Sequence, residues 1–189
     1  MVTDRDRPLG PAPWSKRVVA FALDYLVILG YLAILLGLGL GARKLFGPWE
    51  KSIVAAEPAA MDVFAFVVAI LPVILYFAIS ESSPSRATWG KRISGLAVVG
   101  PNDSRLSQPR ALVRAAVKFL PWQLAHSCLF RIEGWPLEPM GPSPTVMAGL
   151  AVSQALALWY ALAIALAKSH RAPYDWLAGS LVVTTRQSA

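Results

Sequence analysis

Apolar residues in this chain gather into four long stretches separated by shorter polar or basic connections. A membrane-crossing helix needs about 20 consecutive, mostly apolar residues. The first stretch, residues 18–40, is interrupted only by Asp24. The second, about residues 61–80, contains Pro72, which neighbouring helices can absorb, usually with a kink. The third, about residues 112–130, carries Arg114, Lys118, Pro121, Gln123 and His126. The fourth, about residues 146–167, has no charged residue. The pattern predicts an all-α membrane protein, a small transmembrane bundle of four helices. Three helices is the alternative, with residues 112–130 lying in the interface. The expected division is a cytoplasmic segment over 1–17, a transmembrane domain over 18–185 and a tail over 186–189.

Two short runs break this pattern. Residues 93–99 are apolar and partly β-branched, and the dense turn signal Gly100-Pro101-Asn102-Asp103-Ser104 follows. Residues 105–107 are expected to return as a second short strand, with Ser107 and Pro109 opening the next helix. Residues 180–185, SLVVTT, are a further β-prone run. Together these pieces predict a minor cytoplasmic sheet.

Basic residues fall mainly between the apolar runs. Arg5, Arg7, Lys16 and Arg17 precede the first, Arg86, Lys91, Arg92, Arg105 and Arg110 lie between the second and third, and Lys168, Arg171 and Arg186 follow the fourth. The other connections hold fewer: Arg43, Lys44 and Lys51 in one, Arg131 in the next. The positive-inside rule then places both termini and the middle connection in the cytoplasm, which requires four crossings. With three, the basic C-terminal tail would lie outside. Arg114 and Lys118, one turn apart near the cytoplasmic end of the third run, are expected to snorkel to the headgroups.

Composition agrees with a membrane class: 56% of the 189 residues are hydrophobic and 15% charged, against about 45–50% and 25% in soluble domains. The net charge of +7 is explained by orientation, so nucleic acid is not an expected partner. The bilayer is, together with anionic headgroups as a weaker partner and a homo-oligomer as a further one. A single cysteine, Cys128, excludes an intrachain disulfide. Residues 18–40 are too long for a signal-peptide core of roughly 7–15 residues, so a retained helix is expected. Trp14, Trp49, Trp135 and Trp176 fall near helix ends or in adjoining loops, where interfacial anchoring accounts for them. Gly37-Leu38-Gly39-Leu40-Gly41 has neither a preceding strand nor the Lys-Ser/Thr of a phosphate loop.

Asp24 is the residue that demands an account. A carboxylate in hydrocarbon costs a few kcal/mol even on lenient insertion scales, so it must face protein or water. Arg17, seven residues earlier, shares its helix face, with Ala20 between them. The two charges are about 10 Å apart along the axis, so a third partner is needed. Asp175, in Tyr174-Asp175-Trp176-Leu177-Ala178-Gly179, is the expected one, and Arg114 is a further cation at that level. This set reads either as a proton or cation relay or as an ion-pair cluster that locks the bundle. Glu81 either caps its loop or joins the basic residues Lys91 and Arg92. His126 is expected to be a hydrogen-bonded packing residue, and His170 a solvated surface one. His126, His170 and Cys128 lack the spacing of metal ligands, and no nucleophile–base set is present. No cofactor and no enzymatic activity are expected.

These blocks, in this order, resemble the RDD family of bacterial membrane proteins. Arg17 and Asp24 match its first arginine and aspartate, and Asp175 its second aspartate. The middle blocks run Ala87-Thr88-Trp89-Gly90-Lys91-Arg92-Ile93-Ser94-Gly95-Leu96-Ala97-Val98-Val99 and Arg110-Ala111-Leu112-Val113-Arg114, and residues 175–183 close the pattern. The chain departs from it at Tyr174, where members often have histidine, at Ser180 for threonine and at Trp89 for leucine. The resemblance implies a bacterial inner-membrane location. Sodium/proton antiport has been attributed to some members, so it also implies cation/proton exchange at Asp24 and Asp175; an assembly or accessory role is the alternative.

Overall fold

The computed structural model describes residues 10–47, 57–136, 139–167 and 169–185. Arg5, Arg7, Trp49, Lys51, Lys168, Arg186 and the tail 186–189 lie outside them. Of the described residues, 71% are helical. Its elements are α1 (Trp14–Phe46), α2 (Pro58–Ser82), α3 (Trp89–Ile93), β1 (Leu96–Val99), α4 (Gln108–Leu129), α5 (Pro144–Leu166), α6 (Pro173–Leu177) and β2 (Leu181–Thr184). Among the described residues, α1, α2 and α5 are long and apolar enough to cross a membrane. The 22-residue α4 has the length. It lacks the apolar composition, because Arg110, Arg114 and Lys118 occupy its first half.

The helices outrun the apolar stretches that announce them. The 33-residue α1 is about 50 Å long. It ends where Gly47 takes φ +84° and donates its N–H to the Arg43 carbonyl, a positive-φ stop that glycine accommodates without strain. Arg17, Ala20, Asp24 and Ile28, spaced by three or four residues, form its buried face, while Val18, Val19, Leu26 and Leu29 are exposed. Leucine and valine facing outward on a polar-cored helix is the inside-out arrangement that lipid favours.

The chain forms two compact units. The first comprises Met1–Val27, Val73–Lys118 and Leu158–Ala189. It holds the sheet, in which β1 and β2 pair antiparallel with Leu96 opposite Thr184 and Val99 opposite Leu181. The N-terminal residues extend this sheet: Pro11 bridges Val183, Ala12 donates to the Val182 carbonyl at 2.9 Å, and Thr184 donates to Gly10 at 3.1 Å. Pro11 can stand here because it lies at an edge, where its missing N–H removes no ladder bond. The expected strand at 105–107 reduces to one bridge, Val99 to Arg105. Gln108 already begins α4, so no residues remain for a second pairing, and β1 takes the distant C-terminal run instead.

The second unit comprises Ile28–Pro72 and Phe119–Ala157. Arg131 pairs with Asp62 at 2.9 Å, and Gly149 of α5 packs where an added Cβ would meet Cys128 Sγ at 2.5 Å. His126 bonds the Trp122 carbonyl at 2.7 Å through Nδ1, a packing role.

Two long helices contain an internal proline, and each proline is answered by a tyrosine. Pro72 has no N–H for the Val68 carbonyl, four residues back, and the Tyr31 hydroxyl donates to that carbonyl. A π-turn, Phe66–Ile70, sits just before it. Pro121 in α4 likewise frees the Val117 carbonyl, which accepts from the Tyr160 hydroxyl at 3.1 Å. Ser153 donates to the Pro121 carbonyl at 2.8 Å. Freed backbone carbonyls at membrane depth must find such donors, since no water is there to supply them.

Candidate functional site

The first unit buries a chain of six ionisable groups that alternate in sign: Arg17, Asp175, Arg114, Glu81, Lys91 and Asp24. Each is positioned by a separate local device. Arg17 and Asp24 come from the inward face of α1. Glu81 stands on the last turn of α2. Thr88 caps α3, accepting from the Lys91 N–H at 3.4 Å, and so sets the lysine's direction. Asp175 lies in the first turn of α6 and accepts the Ala172 N–H at 3.0 Å. Gly179, at φ +59°, turns the chain back into β2.

At one end, Arg17 Nη2 meets Asp175 Oδ2 at 2.8 Å, and its Nη1 donates to the His170 carbonyl. Arg114 reaches Asp175 Oδ1 with Nη2 at 2.7 Å and Nε at 3.0 Å. Its remaining arm, Nη1, donates to Glu81 Oε2 at 2.5 Å. The planar guanidinium suits this use, because its donors point in fixed directions at two carboxylates. Lys91 Nζ takes the other Glu81 oxygen at 2.9 Å and lies 3.9 Å from Asp24 Oδ2.

Asp24 itself is fully buried and held mostly by neutral donors. Thr88 Oγ1 donates to Oδ2 at 2.5 Å, while Oδ1 accepts from the Gly90 N–H at 2.8 Å and the Tyr76 hydroxyl at 3.0 Å. Lys118 Nζ lies 3.7 Å from the centre of the Phe77 ring and 4.9 Å from that of Phe21, and Lys91 Nζ 5.1 Å from the Phe77 ring. Aromatic faces attract such cations more strongly once water is excluded.

The four sequence-derived site residues, Arg17, Asp24, Asp175 and Arg114, therefore lie in one network, joined differently from the expectation. Asp24 touches neither Arg17 nor Asp175; its partners come from α2 and the start of α3. Asp175 serves the two arginines. The expected snorkelling of Arg114 and Lys118 is corrected: both are buried, Arg114 at 1% exposure. Two buried carboxylates give Arg114 partners that a headgroup would otherwise supply. His170 is also corrected: its ring bonds the Ile164 carbonyl at 2.8 Å and is partly buried. Of the two readings of Glu81, the structure shows the one in which it joins Lys91, at 2.9 Å; sequence reasoning did not link that pair to Asp24 or Arg114, and it missed Tyr76, Thr88 and Gly90. One available signal was a carboxylate at the end of an apolar run; another was a glycine before the lysine.

Burial alone would raise the Asp175 carboxyl, but Arg114 and Arg17 outweigh it and hold the group at about 2. Tyr174, beside it, is pushed up to about 12 by burial and by the Asp175 charge. This phenol therefore stays protonated at neutral pH. A depressed carboxylate stabilises the fold fully above its unfolded value, near 3.8, and loses that contribution as pH falls towards about 2. The contribution is about 2 kcal/mol, at 1.36 kcal/mol per unit. Melting temperature in detergent should thus fall between pH 4 and 2 more steeply for the wild type than for Asp175→Asn, from a higher plateau. Parallel curves would remove Asp175 from the acid transition.

Among the described residues, no group of three or more His, Cys, Asp or Glu is arranged to hold a metal ion. In comparisons with known proteins, the model of the RDD family matches residues 11–179. No curated protein and no solved structure matches the chain.

Proposed function

This chain belongs to the RDD family, and from that footing we propose that it exchanges a monovalent cation for a proton across the bacterial inner membrane, without enzymatic activity. One observation carries the reading. Asp24 is a buried carboxylate in the otherwise apolar run 18–40 of α1, held chiefly by neutral donors, with its nearest ion-pair contact 3.9 Å away. A carboxylate locked by arginine has no need of another cation, whereas one held by hydroxyls and an amide can take one. The helices present few polar residues, so the working form is a homo-oligomer, with anionic headgroups beside its basic face.

The test is flux. Purified protein in liposomes should acidify or alkalinise the lumen when a sodium gradient is applied, read with a trapped pH dye. Asp24→Asn should reduce the rate about a hundredfold or more while remaining folded. Absence of flux under every cation gradient would remove the reading.

A second reading has its own support. Arg114 engages two carboxylates and Ser180, which is what a purely structural lock in an assembly or accessory protein requires. In that case Asp24→Asn and Arg17→Gln would both lower the melting temperature and no flux would be seen.

The proposed topology has four crossings, α4 included, with both termini cytoplasmic. A reporter fused after Ala189 should be active on the cytoplasmic side; external activity would leave α4 in the interface.

A further inference from the structure

The short helix α3 turns one face to the ion network and the other outward. Gly90 and Lys91 are buried, and the Gly90 N–H reaches Asp24 at 2.8 Å. Trp89, Arg92 and Ile93 share the opposite face, since they are three and four residues apart. All three are exposed, Trp89 at 45% and Ile93 at 49%. Among the described residues the Arg92 guanidinium meets no carboxylate, whereas those of Arg17, Arg114 and Arg131 each do.

The contacts of α3 fix its depth. It packs beside Ala20 and Asp24, six and ten positions after Trp14 at the start of α1. That is roughly 9–15 Å along the helix axis. Each headgroup layer is about 5–8 Å thick, so α3 lies at the rim of the hydrocarbon. Its two ends differ. The Trp89 N–H bonds the Tyr76 hydroxyl, which itself donates to Asp24. Beyond Ile93 the chain enters β1, in the sheet that Gly10–Ala12, just before α1, extend. Arg92 therefore stands nearer the water than Trp89.

Charge selects the occupant of this face. The six ions of the buried network cancel, three against three. The exposed charges of the first unit do not: among its described residues they are Lys16, Arg92, Arg105 and Arg110 against Asp103. A guanidinium matches the geometry of a phosphate. An indole and an isoleucine at the rim of the hydrocarbon match glycerol and upper acyl chain. A soluble anion would leave those two side chains unused.

We propose that the outward face of α3, Trp89, Arg92 and Ile93, docks an anionic phospholipid, with its phosphate on Arg92 and its chains along Trp89 and Ile93. Gly90 and Lys91 ride on the same helix, so a bound lipid holds the Asp24 end of the network in place from outside. The proposal gives the headgroup contact a location, and its failure leaves the exchange reading intact.

The experiment places bromine, a contact quencher of tryptophan, on the acyl chains of one lipid at a time. Protein is reconstituted in phosphatidylcholine vesicles containing phosphatidylglycerol, with either lipid brominated at the same mole fraction. The difference between the wild type and Trp89→Phe isolates Trp89. Brominated phosphatidylglycerol should be enriched beside Trp89 about fivefold over brominated phosphatidylcholine, the factor one cation near anionic lipid provides. Arg92→Gln should remove the enrichment, raised salt should lower it, and Arg110→Gln should retain it. In detergent, phosphatidylglycerol should raise the melting temperature of the wild type more than that of Arg92→Gln. Glycerophosphate, a headgroup without chains, should raise neither. Equal quenching of Trp89 by the two brominated lipids overturns the proposal and leaves α3 against unselected lipid. An enrichment that survives in Arg92→Gln overturns it too, as does a stabilisation that glycerophosphate reproduces, which would assign Arg92 to a soluble anion. If Arg92→Gln does not fold, the comparison of the wild type with Trp89→Phe decides alone.

Discussion

Replacing Arg114 with methionine should remove most of the folded protein from a detergent extract. The guanidinium is 1% exposed and is shared by carboxylates from α2 and α6. Methionine fills much of the volume but leaves Glu81 with Lys91 alone and Asp175 with Arg17 alone, both without solvent. Breaking a buried ion pair by deleting one partner costs about 3–5 kcal/mol, because the charge left behind is uncompensated. One net negative charge is left buried and two carboxylates lose a donor, which places the effect within that range, against a total stability of about 5–15 kcal/mol. The melting temperature should drop by about 10 °C or more, measured by size-exclusion chromatography after heating. Arg114→Lys should recover little, because one ammonium cannot present separate donors to Asp175 and Glu81. A wild-type melting curve for Arg114→Met would show that the network is peripheral to stability.

Gly90→Ala should be nearly as severe for a steric reason. A Cβ at position 90 would stand 2.2 Å from the Ala20 carbonyl oxygen, 2.8 Å from the Asp24 nitrogen and 2.9 Å from Asp24 Cγ. The obstacles are the backbone of α1 and the carboxylate that Gly90 itself binds. No side chain can swing away, so α3 must shift. Overpacking of this kind costs about 3 kcal/mol or more when backbone has to move. The shift would also pull the Gly90 N–H from Asp24 and carry Lys91 with it. Gly90→Ala should therefore lose stability and exchange activity together, whereas Gly37→Ala, with nothing within 4 Å of its added methyl, should leave both near wild type. Equal melting temperatures for the two variants would refute the close approach.

Much of the architecture was legible in the sequence because lipid imposes a strong rule: a helix that crosses must show a long apolar run. The alignment of Arg17, Ala20 and Asp24 was legible for a similar reason, since helical periodicity fixes which positions share a face. Their partners were not. A charge reads the same in sequence whether it is solvated or buried, so Arg114 and Lys118 looked like snorkelling residues. Glu81 and Lys91 meet because the loop between α2 and α3 turns sharply, with Arg86 at φ +52°, and no periodic signal encodes that. The pairing of β1 with β2 joins runs far apart in sequence. Their β-branched composition announced both strands, but not that one would choose the other over the nearer Arg105.

The order in which the ion network closes follows the order of synthesis. Arg17 and Asp24 leave the ribosome with α1. Thr88, the first partner of Asp24 after Tyr76, follows 64 positions later, and Arg114 reaches Glu81 from 33 positions downstream. Asp175 is made 158 positions after Arg17, a delay of roughly 8–30 s at ordinary translation rates. During that interval Arg17 and Arg114 both lack their shared carboxylate. The short α6 is thus the latch of the fold. A ribosome that stops before it releases five helices in which Lys91 and Arg114 share Glu81 but Arg17 and Arg114 lack the carboxylate that joins them.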